Sequence, residues 1–530
     1  MAVWGISIQT SHLNLGDYGL ITSLNPAYWL SLGLLFASFA LLLIFQREVR
    51  WLLAAQVVFL VIALYLTPFL MEGTPRLTTG FTMYSDADFV INHGHLNAQI
   101  IVYHNWPGYS LIVSQLVIVT KMASPLLIMG LFPFLIKLVG LLPLYILLRQ
   151  VTRNNFFVIT VAAWVYNLGF WVNQDYMSPQ AIALFLMILA CALFAFLDRQ
   201  AAQTGNRTGH TVALVLVFTA IVLTHALTSI AVLSIAVLLF LIRRLPAIQL
   251  GLLLSMIFLV WSIYGAATQF KSLLGVFWGE AFRLDQIVSL NLGEGFSGTT
   301  TRKGVSWARV IFTAAVGFLA LYGLIGTLVK KKWEKSDTLT LVLAIGAIAI
   351  LPISYGYELF HRLYIFALAP VSRFGGKLAG QGKMALGVIL VALMVFIPVH
   401  IFTRYGSEQV AVTHSPELVF QDFYFSNTVS GYAIGGGNYM TYKKPELYSQ
   451  TMHLEFRWDQ EKHTIDWSAL NVAEGTARYL CFTSWDILAY SRFSETPDLV
   501  INMIQFADKS PAYNLIYLNR YVTLYYYSAN

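Results

Sequence analysis

The sequence predicts an all-α polytopic membrane protein of about twelve transmembrane helices, followed by a small C-terminal extracytoplasmic α/β domain. Three observations predict it. The 530 residues are 57% hydrophobic and only 11% charged, with a mean hydropathy of +0.66, which excludes an ordinary soluble protein. Apolar runs long enough to span, at ~20 residues each, recur from Tyr28 to Thr403. Beyond them the composition changes: residues 403–530 carry 9 Lys and Arg against 13 Asp and Glu, while the remainder carries 24 against 13.

The apolar runs place helices at roughly 28–46, 51–70, 126–148, 155–172, 177–197, 210–224, 226–242, 245–266, 308–329, 337–354, 359–372 and 383–403. The first run follows no basic cluster, so it is expected to be a retained anchor, not a cleaved signal. Arg47/Arg50, Arg149/Arg153, Arg199/Arg207, Arg243/Arg244, Lys330–Lys332 with Lys335, and Arg373/Lys377/Lys383 fall in alternate loops. The positive-inside rule puts all of them in the cytoplasm. A pI near 9.1 therefore reports membrane topology and no nucleic-acid partner. Loop 71–125, Asn173-Gln174-Asp175, His225, loop 267–306, the Tyr355–Arg362 turn and residues 404–530 then face outward. Charges are expected at helix ends.

Residues 1–403 thus form the membrane domain and 404–530 a soluble domain. From Gly108 to Lys121, Ser110, Ser114 and Lys121 recur at helical spacing, which suits a short interfacial helix. In the C-terminal region, Leu454–Trp458 and Tyr479–Phe482 suit strands. Leu515–Tyr517 and Val522–Tyr525 suit a terminal hairpin, and Gly435-Gly436-Gly437 suits a flexible turn or linker. Cys191 and Cys481 fall in different regions, so neither a disulfide nor a cysteine metal site is expected.

The chemistry-bearing residues gather in the outward loops. Tyr84-Ser85-Asp86-Ala87-Asp88 is followed by His93, His95 and His104, then Asn105-Trp106-Pro107-Gly108. Ionisable groups near a bilayer persist where they face water, substrate or each other. Asp86 or Asp88 can act as general base on an acceptor hydroxyl or hold a divalent ion, magnesium or manganese, beside a phosphate. The structural alternative is that they cap a helix from Phe89 to Gln99. His93, His95 and His104 can join that ion or line a substrate site, although their spacing is not diagnostic. Asn173, Gln174 and Asp175 precede Ser178-Pro179, a helix start, and are candidate sugar contacts. His225 is a candidate contact or a buried junction histidine. In Tyr355–Tyr364, Glu358, His361 and Arg362 lie at an outward helix end. Arg362 is suited to a lipid phosphate through its planar donors, or to an i,i+4 ion pair with Glu358. Lys271, Arg283, Arg302 and Lys303 are further basic candidates, expected on a solvated face.

These segments resemble the GT-C superfamily of integral-membrane glycosyltransferases, closest to its prokaryotic mannosyltransferase-like group. The likeness rests on Tyr84–Asp88, Asn105–Tyr109, Gln174–Gln180, Thr224-His225, Arg362–Leu368 and the Ile516–Tyr525 hairpin. It spans most of residues 70–375. Two departures are visible: the acidic motif follows the second span, and its acids are separated by Ala87. The resemblance implies a sugar transferred from a polyprenyl-phosphate-linked donor to a glycan, lipid or protein acceptor, at the outer face of a prokaryotic cytoplasmic membrane. It implies Asp86 or Asp88 as base or metal-side acid and Arg362 at the lipid phosphate. Its rivals are a non-catalytic scaffold of the same fold and a secondary transporter. The transporter would show ionisable residues mid-membrane and inverted repeats.

Overall fold

Every predicted span coincides over its described residues with a helix in the computed structural model, while 245–247 and 349–354 of two spans lie outside the described residues. The structure describes residues 1–121, 125–200, 207–242, 248–270, 275, 299–348, 358–427, 433–436, 452–454, 458–459, 464–465, 478–493 and 498–527. A short α1 (Ala2–Thr10) precedes α2 (Pro26–Ile44). α2 starts where Pro26 supplies a helix-ready φ and the Asn25 side chain accepts from the Tyr28 N–H. α3 (Arg50–Glu72) crosses with a π-turn at Ile62–Leu66. Next come α4 (Thr78–His93), α5 (Gly108–Thr120), α6 (Pro125–Val151), α7 (Phe156–Gly169), α8 (Pro179–Gln200), α9 (Arg207–Thr224) and α10 (Ala226–Leu241). α11 (Ile248–Gly265), α12 (Thr300–Val329), α13 (Lys335–Ile348), α14 (Leu359–Lys377) and α15 (Lys383–Tyr405) complete the bundle. Among the described residues, 7 helices are long and apolar enough to cross a membrane (α2, α3, α6, α8, α11, α12 and α15), and shorter apolar helices accompany them. The chain is a multi-pass membrane protein.

α14 is the central helix. Ile365–Pro370 and Ser372–Gly376 are buried, and the helix packs on α7, α12 and α13. Small residues permit this: a Cβ on Gly376 would lie 2.5 Å from the Val158 carbonyl oxygen. Where lipid offers no hydrophobic contrast, close backbone packing holds helices together.

The predicted cytoplasmic clusters converge on one end of the bundle. Arg373 and Lys377 meet Asp337 at 2.7 and 2.5 Å, Arg153 meets Glu334 at 3.4 Å, and Arg199 donates to Gln150 at 2.9 Å. Arg243 and Arg244 lie outside the described residues. The polar outward segments meet at the other end.

Two local expectations are corrected there. Asp86 and Asp88 do not cap a helix beginning at Phe89. They lie inside α4, which starts at Thr78 and ends on Gly94 in the left-handed region. Phe81, Tyr84 and Ala87, at helical spacing, are its buried stripe. α5 is the predicted short helix, but its serines face protein: Ser114 Oγ donates to the Ala87 carbonyl at 2.9 Å. Its Leu111, Ile112, Leu116 and Val119 face outward.

After α15 the chain forms α16 (Ser415–Asn427), β1 (Ala433–Gly436), β2 (Met452–Leu454), β3 (Trp458–Asp459), β4 (Thr464–Ile465), β5 (Arg478–Thr483), α17 (Ser484–Phe493), α18 (Leu499–Lys509), β6 (Tyr513–Leu518) and β7 (Val522–Tyr527). The sheet order is β2-β1-β5-β7-β6. β1 is parallel to β2 and β5, and β7 is antiparallel to β5 and β6. Leu480 and Phe482 pack with Val500 and Met503 of α18. The alternate residues Tyr479 and Cys481 pack with Phe420 and Tyr424 of α16, as the two-residue period of a strand requires. The terminal hairpin lies where predicted. The glycine run is different: Gly435 and Gly436 belong to β1, an interior parallel strand, and Gly437 lies outside the described residues. The Leu454–Trp458 strand is divided between β2 and β3, with 455–457 outside the described residues.

Candidate functional site

The site assembles around the start of α5. Asp86 and Asp88, two residues apart on α4, point about 200° apart around the axis. Asp86 is buried and Asp88 half-buried. Burial, with the Asp86 carboxylate next, holds the Tyr109 phenol well above its usual range. Asp88 turns along the helix surface, where its Oδ2 accepts from Asn92 at 3.0 Å. Burial and Asp88 push the Tyr84 phenol up to about 12. The two acids therefore work in different surroundings.

His104 is committed on both ring nitrogens. Its Nδ1 accepts from the Asn97 backbone N–H at 2.8 Å, so Nε2 carries the proton and donates to the Asp86 carbonyl at 2.8 Å. Burial lowers its proton affinity. His93 stacks on Phe89 at 4.2 Å, with Nδ1 at the Phe89 carbonyl. His95 Nδ1 faces the His93 carbonyl. The three histidines pack around Phe89 and the backbone. Among the described residues, no three His, Cys, Asp or Glu side chains gather to hold a metal ion.

Gly108 joins this acidic helix to the second cluster. A Cβ there would lie 2.6 Å from Thr224 Oγ1 and 3.0 Å from the Leu223 carbonyl oxygen. Only glycine lets α5 approach the α9–α10 junction so closely. The neighbouring Tyr109 hydroxyl donates to the Met177 carbonyl at 3.2 Å. His225, at that junction, places Nδ1 2.9 Å from Thr228 Oγ1. Arg362 Nη1 lies 3.4 Å from His225 Nε2, and Arg362 Nη2 pairs with Glu358 at 2.6 Å. Gln174 Nε2 donates to the same Glu358 carboxylate at 3.2 Å. The i,i+4 ion pair is formed, and it belongs to a wider cluster of Gln174, Glu358, Arg362 and His225. His361 turns away, edge-on to Trp171 at 5.3 Å.

Asn173 and Asp175 are tied to arginines. Asp175 Oδ1 accepts from Arg404 Nη2 at 2.6 Å with both groups buried. Asn173 Oδ1 lies 3.4 Å from Arg76 Nη1, and Arg76 also pairs with Glu408. Arg404 and Arg76 carry no distinguishing signal in the sequence, because arginines at apolar-run boundaries read as ordinary flanks. Lys137 differs from both. It stands near the middle of α6 and is 6% exposed, which corrects the expectation that charges lie at helix ends. A lone lysine inside a run of 27 residues was the available signal. Arg302 and Lys303 begin α12; Lys271, Arg283 and Tyr355–Tyr357 lie outside the described residues.

No family profile matches the sequence, and no curated protein matches it. Solved structures do resemble it. The Archaeoglobus fulgidus oligosaccharyltransferase in its apo form gives a TM-score of 0.53 at 12% identity, covering 84% of this chain and 70% of that one. The same protein tethered to an acceptor peptide containing the NVT sequon gives 0.53 at 11%, covering 92% and 74%. ArnT from Cupriavidus metallidurans bound to undecaprenyl phosphate gives 0.50 at 12%, covering 91% and 98%. At such identities the likeness is one of fold: this chain shares the fold of the oligosaccharyltransferase and ArnT structures.

Proposed function

We propose that the protein is a membrane glycosyltransferase that moves a sugar from a polyprenyl-phosphate-linked donor to a glycan, lipid or protein acceptor. The observation that carries this reading is the joint at α5. Ser114 of α5 donates to the Ala87 carbonyl next to Asp86, and Gly108 abuts the junction from which His225 reaches Arg362. A carboxylate and a cation are thereby built into one end of the bundle. Of the fold neighbours, the oligosaccharyltransferase was solved with a tethered acceptor peptide and ArnT with bound undecaprenyl phosphate, which supports the substrate classes.

In the proposed reaction, the acceptor oxygen bonds to the anomeric carbon as that carbon's bond to the phosphate oxygen breaks. The acceptor proton passes to the Asp86 carboxylate. The electron pair leaves with the phosphate, and Arg362 meets its growing charge, as preorganised cations do in a dry site. Asp86 is preferred to Asp88 because it is buried on the side of Tyr109. Gln174 and Glu358 position Arg362, and His225 backs it. A divalent ion would require donors from substrate or solvent beside Asp86, since the described residues do not gather a ligand set. The site end of the bundle and residues 404–530 are assigned to the extracytoplasmic side of a prokaryotic cytoplasmic membrane.

The test is turnover of a lipid-phosphate sugar by the purified protein in bilayers. Asp86→Asn is expected to lower kcat by ~10²–10⁴, the usual contribution of a general base, and Asp88→Asn by less than about tenfold. Full turnover by Asp86→Asn removes the assignment. The scaffold alternative predicts no turnover by the wild type with any lipid-phosphate sugar.

A further inference from the structure

The segment that leads from α15 into the C-terminal domain is clamped to the segment that leads from α3 into α4. The Leu77 N–H donates to the Ala411 carbonyl at 2.7 Å, and Arg76 forms an antiparallel bridge with Val412. Side chains close the same joint. Arg76 grips Glu408 through two donors, Nε to Oε1 and Nη2 to Oε2, the second at 2.7 Å. Its Nη1 turns to Asn173 at 3.4 Å, and its guanidinium lies 4.6 Å from the centre of the Tyr405 ring. Glu408 is fully buried. Glu72, the last residue of α3, brings a second carboxyl group within hydrogen-bonding reach of Glu408. Both Glu72 carboxyl oxygens are buried, and among the described residues no donor reaches either. Fully ionised, the two acids set two negative charges against the one positive charge of Arg76. The next cations at the joint are Arg404, held by Asp175, and Arg309, whose Nε donates to the Thr403 carbonyl. Two carboxylates in contact do not both stay ionised away from water, and a buried acceptor without a donor is costly.

We propose that Glu72 and Glu408 share one proton, so that Glu72 donates an O–H to Glu408 and locks the joint. Both partners of Glu408 then come from the membrane domain: the acid from the end of α3 and the guanidinium from the loop before α4. The joint ties the entry to the C-terminal domain to the helix that carries Asp86 and Asp88. Withdrawing the proton sets two carboxylates against each other and opens it. The result is a proton-sensitive latch between the C-terminal domain and the acidic helix, built from groups that the reaction proposed above does not use. Failure of that reaction is read in turnover, whereas failure here is read in stability and in backbone hydrogen exchange.

The experiment uses the full chain in phosphatidylcholine nanodiscs between about pH 6 and about pH 8.5, well above the ordinary glutamate value near 4.3. It follows the thermal transition and the hydrogen exchange of peptides covering residues 74–80. In that range an unfolded glutamate has released its proton, whereas the folded pair holds one. The unfolded state therefore binds fewer protons, and stability falls as pH rises, by up to about tenfold in the unfolding constant per pH unit. Glu72→Gln keeps an N–H donor for Glu408 and has no proton to lose. Relative to that variant, the wild type is expected to lose melting temperature as pH rises. Its protection at 74–80, corrected for the intrinsic pH dependence of exchange, is expected to fall over the same range, while that of Glu72→Gln stays level. Parallel melting profiles of the two proteins overturn the shared proton. Protection at 74–80 that changes alike in both overturns the latch. Glu72→Met gives the same comparison of pH profiles if the glutamine variant does not assemble.

Discussion

His104 shows why a residue type can be noticed in sequence and its role missed. Its two nitrogens join the Asn97 N–H to the Asp86 carbonyl, so it positions the acidic helix and does not offer a lone pair to a ligand. The arrangement requires the neutral ring. Burial depresses the folded-state proton affinity below the ordinary value of 6.5, whereas the unfolded chain titrates near that value. The unfolded state therefore binds more protons as pH falls, and the contribution of His104 to stability is full above about 6.5 and declines below it. Thermal melts between pH 7.5 and 5, conditions chosen to bracket the ordinary histidine value, should show the wild type losing more stability than His104→Gln. Equal losses would exclude this role. At the same scale Asp86 and Asp88 look interchangeable in a list of residues. Only the helical phase separates them, and that phase is set by the stripe of Phe81, Tyr84 and Ala87 that packs inward.

At the scale of elements, the Arg404–Asp175 pair fastens the end of α15 to the loop between α7 and α8. The pair is buried, with side chains 1% and 4% exposed, and Arg404 also reaches the Phe170 and Val172 carbonyls at 3.4 and 3.2 Å. Removing one partner strands the other charge, at a cost of ~3–5 kcal/mol, while removing both costs much less than the sum. Thermal unfolding of Asp175→Asn, Arg404→Met and the double variant should show this non-additivity. Strict additivity would mean that the pair is not coupled. The partners are 229 residues apart in sequence, so no local pattern could announce them. The sheet teaches the same lesson. Glycines at 435–437 suit a turn by composition, yet Gly435 and Gly436 fill a strand flanked by β2 and β5. Neighbouring strands supply the conformational preference that glycine lacks.

At the scale of the molecule, the two ends of the bundle carry different chemistry. One end pairs Arg373 and Lys377 with Asp337; the other gathers Asp86, His225, Arg362 and Arg404. If they lie on opposite sides of a membrane, Asp88→Cys will react with an impermeant maleimide in intact cells, and Arg199→Cys only after permeabilisation. Cys191 and Cys481 are buried, so native background should be low. Labelling of both sites from the same side would reject the topology.

The sequence by itself determined the membrane architecture, the alternation of basic and polar ends, the terminal hairpin and the residues from which a site could be built. These are local properties: an apolar run of about 20 residues encodes its own span, and flanking charges orient it. The tertiary structure decided that Asp86 is the inward acid, that Asn173 and Asp175 are held by arginines, and that Lys137 is buried among aromatic rings. Those outcomes depend on helices distant in sequence, because a buried polar group is defined by the partner that packing brings to it.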